Sequence, residues 1–397
     1  MENNQAAWIL AADNSPSKSA RGRIRIAPLQ TKLSSRLLLW QSTHPNGSAP
    51  YFSILQMKEF GYLPLKYPHV LGSDVAGTVV KVGEEVKRFK AGDRVIGHCL
   101  GLLYGGAKHG GFQNFTTLRE VVTAPVPDSV RFEDAVVLPL AISTASVGLF
   151  DDLKLRLPSA DPAVLIWGAA SSMGSIAVQL SVAAGYRVIT TASTKNHDYV
   201  RALTSPHDEQ QHVTVFDYHR PNTTNDIIDH IKSSSSLKFA GAYDCVVHAF
   251  GGGVMPSVLW PPADLPADVR AGTVNAIWPG TLAVCPSSRV WRDYVPKALA
   301  NGALRMQPGP EVVGTGLDKI EGALNWHKAG DHINSGPIWK GRNREGTFDQ
   351  EFGVTVHNPM ATWSPCRSIR RQVCKRMILD FQAQLRSHDD AKDPYLE

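Results

Sequence analysis

The spacing of apolar and polar positions changes about a third of the way along the chain. From Tyr67 to Val126, short apolar runs alternate with turns rich in Gly, Pro and Asp, a pattern typical of β-strands outside a parallel sheet. After Asp134 the apolar stretch AVVLPLAISTASVGLF predicts a helix, and strand-like and helix-like segments then alternate to about residue 300. Such alternation predicts an α/β protein with a doubly wound parallel sheet and a second, β-rich domain.

The same pattern predicts individual elements and domain boundaries. Strands of the parallel sheet are predicted at 163–167, 186–192, 213–216 and 243–248, with helices at 175–184 and 197–203. The predicted divisions are an N-terminal domain at 1–126, the parallel-sheet domain at 127–303, a return to the first domain at 304–335, and a divergent tail at 336–397.

Residues 165–185, LIWGAASSMGSIAVQLSVAAG, predict a buried strand, a turn of small residues and a helix. In such a unit the free N–H groups and the dipole at the start of the helix bind the pyrophosphate of a dinucleotide. Serines stand where two glycines are usual, but serine is small and its hydroxyl can donate. A tight turn in some other α/β protein is the alternative. The candidate cofactor-binding residues here are Gly168, Ala170, Ser171, Ser172, Met173 and Gly174.

The end of the next strand indicates which dinucleotide binds. NAD-binding sheets place an acidic residue there for the ribose hydroxyls. This strand instead ends in Ser193, Thr194, Lys195 and Asn196, with no acid before Asp198. Hydroxyls, an amide and a cation suit a 2′-phosphate, so NADPH is favoured over NADH. The alternative is an exposed lysine in a loop that caps a helix.

Composition narrows the function classes. The chain has 397 residues, enough for two domains, with 43% hydrophobic and 19% charged residues and a net charge of +5. Six basic residues and no acidic ones lie between Asn14 and Met57, but the basic stretch from Arg21 to Arg25 is short and has no interleaved aromatic residues of the kind that stack on bases, so we expect no nucleic-acid partner. No apolar run reaches the length of a membrane span and no secretory signal begins the chain, so we expect a cytoplasmic protein without a membrane partner. Five scattered cysteines indicate neither a disulfide framework nor a zinc knuckle.

Four segments together resemble the zinc-independent medium-chain dehydrogenase/reductases. More narrowly, they are similar to fungal zinc-binding-dehydrogenase-like oxidoreductases, which include quinone oxidoreductases and trans-acting enoyl reductases of polyketide synthesis. The segments, which begin at Tyr67, Val136, Leu165 and Pro296, are YPHVLGSDVAGTVVKVGEEVKRFKAGDRVIG, VVLPLAISTASVGLF, LIWGAASSMGSIAVQLSVAAGYRVITTASTKNHDYV and PKALANGALR with EVVGTGLDKIEGAL. The resemblance implies a GroES-like β-barrel domain beside a Rossmann domain, an active site between them, and a homodimer as one assembly.

The resemblance also implies roles for particular residues. Tyr218 is expected to pack near the adenosine phosphate. Two segments are expected to line the nicotinamide and substrate, namely Pro139, Leu140, Ala141, Ile142, Ser143 and Thr144, and then Gly280, Thr281 and Leu282. Thr144 is the candidate donor to the substrate oxygen, with ordinary core packing as the alternative. Tyr62, Tyr104 and His109 are candidate proton donors by their chemistry alone.

Metal ligands are not expected. Zinc-dependent relatives carry a His-Glu pair where this chain has Ser73 and Asp74. His98 and Cys99 are adjacent in a predicted strand, and adjacent strand residues point to opposite faces.

Three segments depart from the family, one of which, HAFGGGVMPSVLW, is shorter than the usual strand–helix–strand. Residues 14–53 lack the usual strand similar to NEIVVKAVAINPVDW and read QTKLSSRLLLWQSTHPNG in its place, and the tail at 336–397 lacks the closing strand. One interpretation is novel structure. The other is a shifted reading frame, because codons permitted for Gln30 to His44, read two bases later, can encode NETLVKTAAVAINP.

The residues and the resemblance together predict an NADPH-dependent, zinc-independent oxidoreductase that transfers hydride to an activated double bond. The expected substrate is a small-molecule enone, enoyl thioester or quinone, including a polyketide bound to a carrier. Two alternatives stay open at this point: a catalytically impaired relative that still binds NADPH, and a zinc alcohol dehydrogenase.

Overall fold

The computed structural model describes the greater part of the chain between residues 69 and 320. The described residues are 69–84, 86–104, 107–155, 162–204, 212–233, 238–245, 253–257, 269–274, 276–281 and 285–320, and, as short strands, 4–8, 25–29, 38–40, 336–340 and 355–357.

The strands of the described chain are β1 (Asn4–Trp8), β2 (Arg25–Leu29), β3 (Leu38–Trp40), β4 (Asp74–Thr78), β5 (Arg94–His98), β6 (Thr123–Pro125), β7 (Pro162–Trp167), β8 (Arg187–Ala192), β9 (Val213–Asp217), β10 (Lys238–Asp244), β11 (Gly253–Ser257), β12 (Val269–Thr273), β13 (Pro310–Thr315), β14 (Gly336–Lys340) and β15 (Thr355–His357). The α-helices are α1 (Gly101–Tyr104), α2 (Phe132–Ala135), α3 (Pro139–Ser146), α4 (Ser172–Ala183), α5 (His197–Arg201), α6 (Thr223–Ser233), α7 (Trp278–Thr281), α8 (Pro286–Arg289) and α9 (Val295–Ala300). Single π-type turns, Val147–Asp152 and Val290–Tyr294, extend α3 and join α8 to α9.

Six parallel strands form the large sheet, in the order β12-β11-β10-β7-β8-β9. Numbered from the first strand in the chain, this is the order 3-2-1-4-5-6 of a Rossmann sheet, which confirms the predicted α/β class. Every residue of β7 is buried, as expected for a central parallel strand covered on both faces. The strand order reverses between β7 and β10, and ligands of such sheets bind at that point, outside the carboxyl ends of the strands.

The positions of three predicted strands agree closely with β7, β8 and β9, but the fourth was misplaced. The prediction put it at 243–248, whereas β10 spans Lys238–Asp244 and pairs with β7 over its whole length. The prediction followed the apolar run after Asp244, while hydrogen bonding to β7 selects the more polar KFAGAYD segment. The strands β11 and β12 were not predicted.

A second, antiparallel sheet has the order β4-β5-β6 and lies within the predicted N-terminal domain. Its buried residues join the main hydrophobic core, in which Ile96 of β5, Ile142 of α3 and Ile166 of β7 belong to one cluster. The two sheets therefore share a core with α3 between them in the chain. The predicted domain boundaries themselves stay predictions.

The apolar stretch predicted as a helix is helical from Phe132 to Asp152, apart from short interruptions. Of the residues that the structure describes, it is the one helical stretch long and apolar enough to cross a membrane, and 89% of its apolar window is buried inside the protein. Burial of this extent is typical of a core helix.

Candidate functional site

Two glycines determine the course of the turn between β7 and α4. Gly168 has a φ of +86°, in the left-handed region that favours glycine. Its N–H donates to Thr191 Oγ1 on β8 over 3.0 Å. Gly174 lies so close to the turn that a Cβ there would be 2.2 Å from the Gly168 carbonyl oxygen. Both outer glycines of the predicted phosphate turn are thus required by its geometry.

The hydroxyl of Ser171 closes the turn from within. Ser171 is the N-cap of α4; its Oγ accepts the Gly174 N–H at 3.0 Å and donates to the Gly168 carbonyl oxygen at 2.8 Å. Because both contacts are internal, the side chain of Ser171 maintains the turn instead of facing a ligand. Its contribution to cofactor binding would come from the backbone.

Ser172 differs from its neighbour in having a free hydroxyl. It is the first residue of α4 and 2% exposed, yet its Oγ has no hydrogen-bond partner. A buried polar atom without a partner is costly, and such an atom in a native structure calls for a ligand or an ordered water. Since α4 has twelve residues, its N-terminus also carries the positive end of a full helix dipole. An anionic oxygen, such as one of a dinucleotide pyrophosphate, fits this position.

The other two residues predicted in this turn lie on either side of the serines. Ala170 is half-buried and Met173 is 2% exposed. Their side chains add no polar group. The groups that this turn offers to an anion are therefore its backbone N–H groups and the Ser172 hydroxyl.

The predicted 2′-phosphate loop follows β8 as a single 3₁₀ turn, Thr194–Asn196. Asn196 is buried and donates from Nδ2 to Ser193 Oγ at 3.1 Å, which holds the turn together. Thr194 and Lys195 are exposed, and the Lys195 ammonium has no hydrogen bond or ion pair within the part of the chain that the structure describes. The Lys195 ammonium is therefore available to bind an anion.

An acidic residue that the sequence pattern did not indicate lies beside this loop. Asp217 ends β9 directly opposite Ala192, and its Oδ2 accepts the Thr194 hydroxyl while its Oδ1 accepts the His219 N–H at 2.9 Å. Burial opposes ionisation, but the hydrogen bonds from Thr194 and His219 outweigh it and lower the pKa of Asp217. The signal was present in VFDY, because the carboxyl ends of adjacent parallel strands meet at one edge of the sheet. Thr194 cannot donate to a phosphate while it donates to Asp217.

Tyr218, the other residue expected near the adenosine phosphate, follows Asp217. Its ring lies against that of His219, with centroids 4.2 Å apart. The structure thus brings Tyr218, Lys195 and Thr194 to the same edge of the sheet.

Helix α3, predicted to line the substrate, begins on a buried carboxyl group from the small sheet. Asp74 is 0% exposed, and its Oδ1 accepts the Leu140 N–H at 2.6 Å. Its Oδ2 has no partner. Burial raises the pKa of Asp74 well above its usual range, and the Leu140 N–H opposes that shift only in part. Asp74 therefore holds the start of α3 against β4.

Ser143 and Thr144 use their hydroxyls inside the protein. Ser143 Oγ accepts from Trp291 Nε1 at 3.0 Å; because an indole can only donate, the serine hydroxyl donates in turn to His98 Nδ1, also at 3.0 Å. Burial lowers the pKa of His98 to about 3, which keeps its ring neutral. Thr144 Oγ1 donates to the Leu140 carbonyl oxygen at 2.7 Å. The predicted role of Thr144 as a donor to substrate would need that bond to break.

The remaining residues predicted to line the substrate are mostly buried. Pro139, Ala141 and Ile142 are buried in the core and Leu140 is half-buried. Gly280 lies in α7 against Leu100, where a Cβ would be 2.2 Å from Leu100 Cδ1. Thr281 ends α7. Leu282 lies outside the described residues, as does Tyr62.

Two of the candidate proton donors lie together. The rings of Tyr104 and His109 have centroids 5.2 Å apart, and Tyr104 is 43% exposed. His109 Nδ1 donates to the Thr117 carbonyl oxygen at 3.1 Å, which leaves Nε2 for another partner.

Among the described residues, no three His, Cys, Asp or Glu side chains are grouped so as to hold a metal ion. Cys99 is buried, and burial raises the pKa of its thiol, which disfavours the thiolate that a metal requires. Independence of zinc stays a prediction.

Comparison with known proteins identifies a matching family model and relatives that agree with it. Residues 51–128 match the family model described as the alcohol dehydrogenase GroES-like domain. The trans-enoyl reductase himH of Aspergillus japonicus is 39% identical over 290 residues, which cover 69% of this chain and 82% of that protein. The dehydrogenase pigH of Monascus ruber is 34% identical over 378 residues, covering 83% of this chain and 97% of that protein.

Solved structures agree on the fold. The quinone oxidoreductase of Pseudomonas syringae pv. Tomato superposes with a TM-score of 0.57 at 21% identity, covering 85% of this chain and 99% of that one. The CurK enoyl reductase superposes with a TM-score of 0.56 at 16% identity, covering 90% of this chain and all of that one.

Proposed function

Because the chain belongs to the medium-chain dehydrogenase/reductase family of oxidoreductases, we propose that it is an NADPH-dependent reductase of activated double bonds. The substrate class is an enone, an enoyl thioester or a quinone. Relatives named trans-enoyl reductase and a structural neighbour named quinone oxidoreductase support this class. A polyketide thioester held on a carrier is the substrate that the enoyl reductase names favour.

The main structural support for this proposal is the N-terminus of α4. Ser172 offers a buried hydroxyl without a partner at the N-terminus of a twelve-residue helix, beside a turn that glycines at 168 and 174 keep compact. This combination binds a pyrophosphate through charge-assisted hydrogen bonds. The position beside the strand-order reversal is where a Rossmann sheet binds a dinucleotide.

The preference for NADPH rests on the loop after β8. Lys195 is exposed and unpaired among the described residues, so its ammonium is free for a 2′-phosphate. Asp217 stands beside the loop, but its two oxygens already accept hydrogen bonds from Thr194 and His219.

When bound, NADPH supplies the hydride. The protein's own groups bind and orient it: the start of α4 holds the pyrophosphate, and α3 presents a rigid wall whose hydroxyls are already hydrogen-bonded internally. Thr144, the predicted donor to the substrate oxygen, would first have to break its bond to the Leu140 carbonyl oxygen, so we propose a backbone N–H or a side chain outside α3 for this role. We place the proton donor at the Tyr104–His109 pair, since both keep a polar atom for a further partner.

A second candidate is a relative that binds NADPH without turnover. The observation that favours it is the start of the GroES-like match at residue 51, which leaves nearly all of the unusual segment 14–53 outside the family pattern. The family resemblance implies that the corresponding segment supplies one wall of the active site.

The experiment is a two-stage assay of the full chain. NADPH and NADH are titrated separately while nicotinamide fluorescence is followed, and then loss of nicotinamide absorbance is measured with a quinone, an enone and a pantetheine enoyl thioester, with and without a metal chelator. We expect tighter binding of NADPH and turnover that the chelator leaves unchanged. Binding without turnover supports the second candidate. Absence of binding, or equal binding of both nucleotides, contradicts the proposed cofactor.

A further inference from the structure

His219 lies in the turn that follows β9, at the sheet edge where the predicted 2′-phosphate loop is found. Its Nδ1 is 3.1 Å from Asp217 Oδ1, which also accepts the His219 backbone N–H at 2.9 Å. The imidazole therefore has a defined position relative to Asp217 although its side chain is 50% exposed.

The contact with Asp217 determines which ring nitrogen carries a proton. An ionised carboxylate can only accept, so Nδ1 must donate to it. Nε2 is then a bare lone pair in the neutral ring and an N–H donor in the protonated ring. A phosphate dianion repels the first form and binds the second by a charge-assisted hydrogen bond.

Two groups beside the His219 ring interact favourably with a cation. Asp217 contributes the negative charge at Nδ1, and hydrogen bonds from Thr194 and His219 lower the pKa of that carboxyl, so it stays ionised. The Tyr218 ring lies against the imidazole at 4.2 Å, where an aromatic face stabilises a cation.

Other charged groups of this edge belong to the neighbouring elements. From α5, Asp198 pairs with the Arg201 guanidinium at 3.1 Å. From α6, Asp226 lies 3.9 Å from the Arg220 guanidinium, and that arginine follows His219 in the same turn. From the loop after β8, Lys195 is the one exposed cation of the predicted pocket. His219 is thus the group of this turn that can add a positive charge when an anion arrives.

We propose that His219 is a specificity-determining residue for NADPH: it binds the 2′-phosphate through Nε2 as an imidazolium and takes up a proton from solvent as the phosphate binds. This inference rests on the proposed function, since it concerns the cofactor named there. NADH has no 2′-phosphate, so its binding takes up no proton at this site. The preference for NADPH then weakens as pH rises above the range in which histidine titrates.

The test is calorimetric titration of the full chain in two buffers whose ionisation enthalpies differ, at about pH 7.5, where the 2′-phosphate is already nearly fully ionised. The difference between the two observed enthalpies counts the protons taken up. We expect uptake of a fraction of a proton per NADPH and none per NADH. We also expect the ratio of NADPH to NADH affinity to fall by about tenfold in total between about pH 7 and 9.

Three variants separate the possible causes. His219→Gln should abolish proton uptake and weaken NADPH binding by about tenfold while leaving NADH binding unchanged. His219→Arg carries a permanent charge, so it should keep the NADPH preference without proton uptake. His230→Gln, a histidine on α6 whose ring packs on Phe216, is the matched control and should behave as the parent protein.

The outcomes distinguish this inference from the proposed function. If NADPH binds preferentially but His219→Gln shows the same proton uptake and affinity, the role of His219 is wrong and the cofactor assignment stands. If the parent protein binds neither nucleotide, the cofactor assignment itself fails. Retained binding of NADH by the variants shows that they are folded.

Discussion

The three serines at the start of α4 differ in the hydrogen bonds that their hydroxyls make. Ser171 Oγ closes the turn, and Ser175 Oγ bonds the carbonyl oxygens of Ala169 and Ser171 and the hydroxyl of Tyr199. Ser172 Oγ alone among them is without a partner. A free hydroxyl at this position is available to a ligand, and the binding energy it contributes can be measured.

Ser172→Ala is expected to weaken NADPH binding by about tenfold, because it removes one hydrogen bond to a charged oxygen, worth roughly 1.5 kcal/mol. Ser181→Ala is the matched control: Ser181 is also a buried serine of α4 whose Oγ has no partner, but it lies nine residues further along the helix. Fluorescence titration of both variants with NADPH gives the comparison. If both variants lost NADPH affinity equally, the cause would be a general effect on α4 and not a lost contact between Ser172 and the cofactor.

At the scale of the element, the β7–α4 unit depends on how closely the helix approaches the turn that precedes it. The space at Gly174 is closed by backbone atoms, the Gly168 carbonyl oxygen and Ala169 Cα, which cannot move aside as the end of a side chain can. Replacing Gly174 with a larger residue therefore distorts the turn itself.

Gly174→Ala is expected to destabilise the protein by about 1–3 kcal/mol and to abolish detectable NADPH binding, because the added methyl group pushes α4 away from Gly168. Gly83→Ala serves as control, since nothing lies within 4 Å of a Cβ at that position. It should change the free energy of unfolding by less than about 0.5 kcal/mol. Denaturant unfolding and nucleotide titration measure the two effects. Normal binding by the Gly174→Ala variant would contradict the close approach.

At the scale of the whole molecule, buried polar contacts join the small sheet to α3. Asp74 and His98 are paired directly across β4 and β5, and they bond Leu140 and Ser143, three residues apart on α3. Trp291, in the π-type turn after α8, adds a contact to the same Ser143 hydroxyl. The position of α3 therefore depends on contacts from β4, from β5 and from the π-type turn after α8.

The buried Asp74 predicts how stability changes with pH. Because the fold raises the pKa of Asp74, the folded protein holds this proton more tightly than the unfolded chain does. The stability contributed by the protonated carboxyl is complete below about pH 4 and is lost as pH rises through the folded pKa. Asp74→Asn keeps an oxygen for the Leu140 N–H and does not titrate.

The free energy of unfolding of Asp74→Asn should therefore fall less between about pH 5 and 8 than that of the parent protein, by up to about 1.4 kcal/mol per pH unit. Asp128→Asn, at an aspartate whose side chain is 98% exposed, should follow the parent protein. Urea unfolding at several pH values measures both. Parallel pH curves for the parent protein and Asp74→Asn would contradict the account of Asp74.

The sequence by itself determined the elements that depend on neighbours in the chain. The spacing of Gly168, Ser171 and Gly174 predicts the turn and helix because the contacts among these three residues span six residues or fewer. The strands β7, β8 and β9 were predicted for the same reason, since their apolar runs are local. The GroES-like part was recognised from such segments and is confirmed by the family match.

Only the tertiary structure decided which distant side chains meet. Asp217 reaches Thr194 because parallel pairing sets Asp217 opposite Ala192, and Ser143 meets His98 and Trp291 across 45 and 148 residues of chain. Strand register and the packing of α3 determine these contacts, and both are set by hydrogen bonding and core packing across the whole fold, which no local pattern of residues encodes.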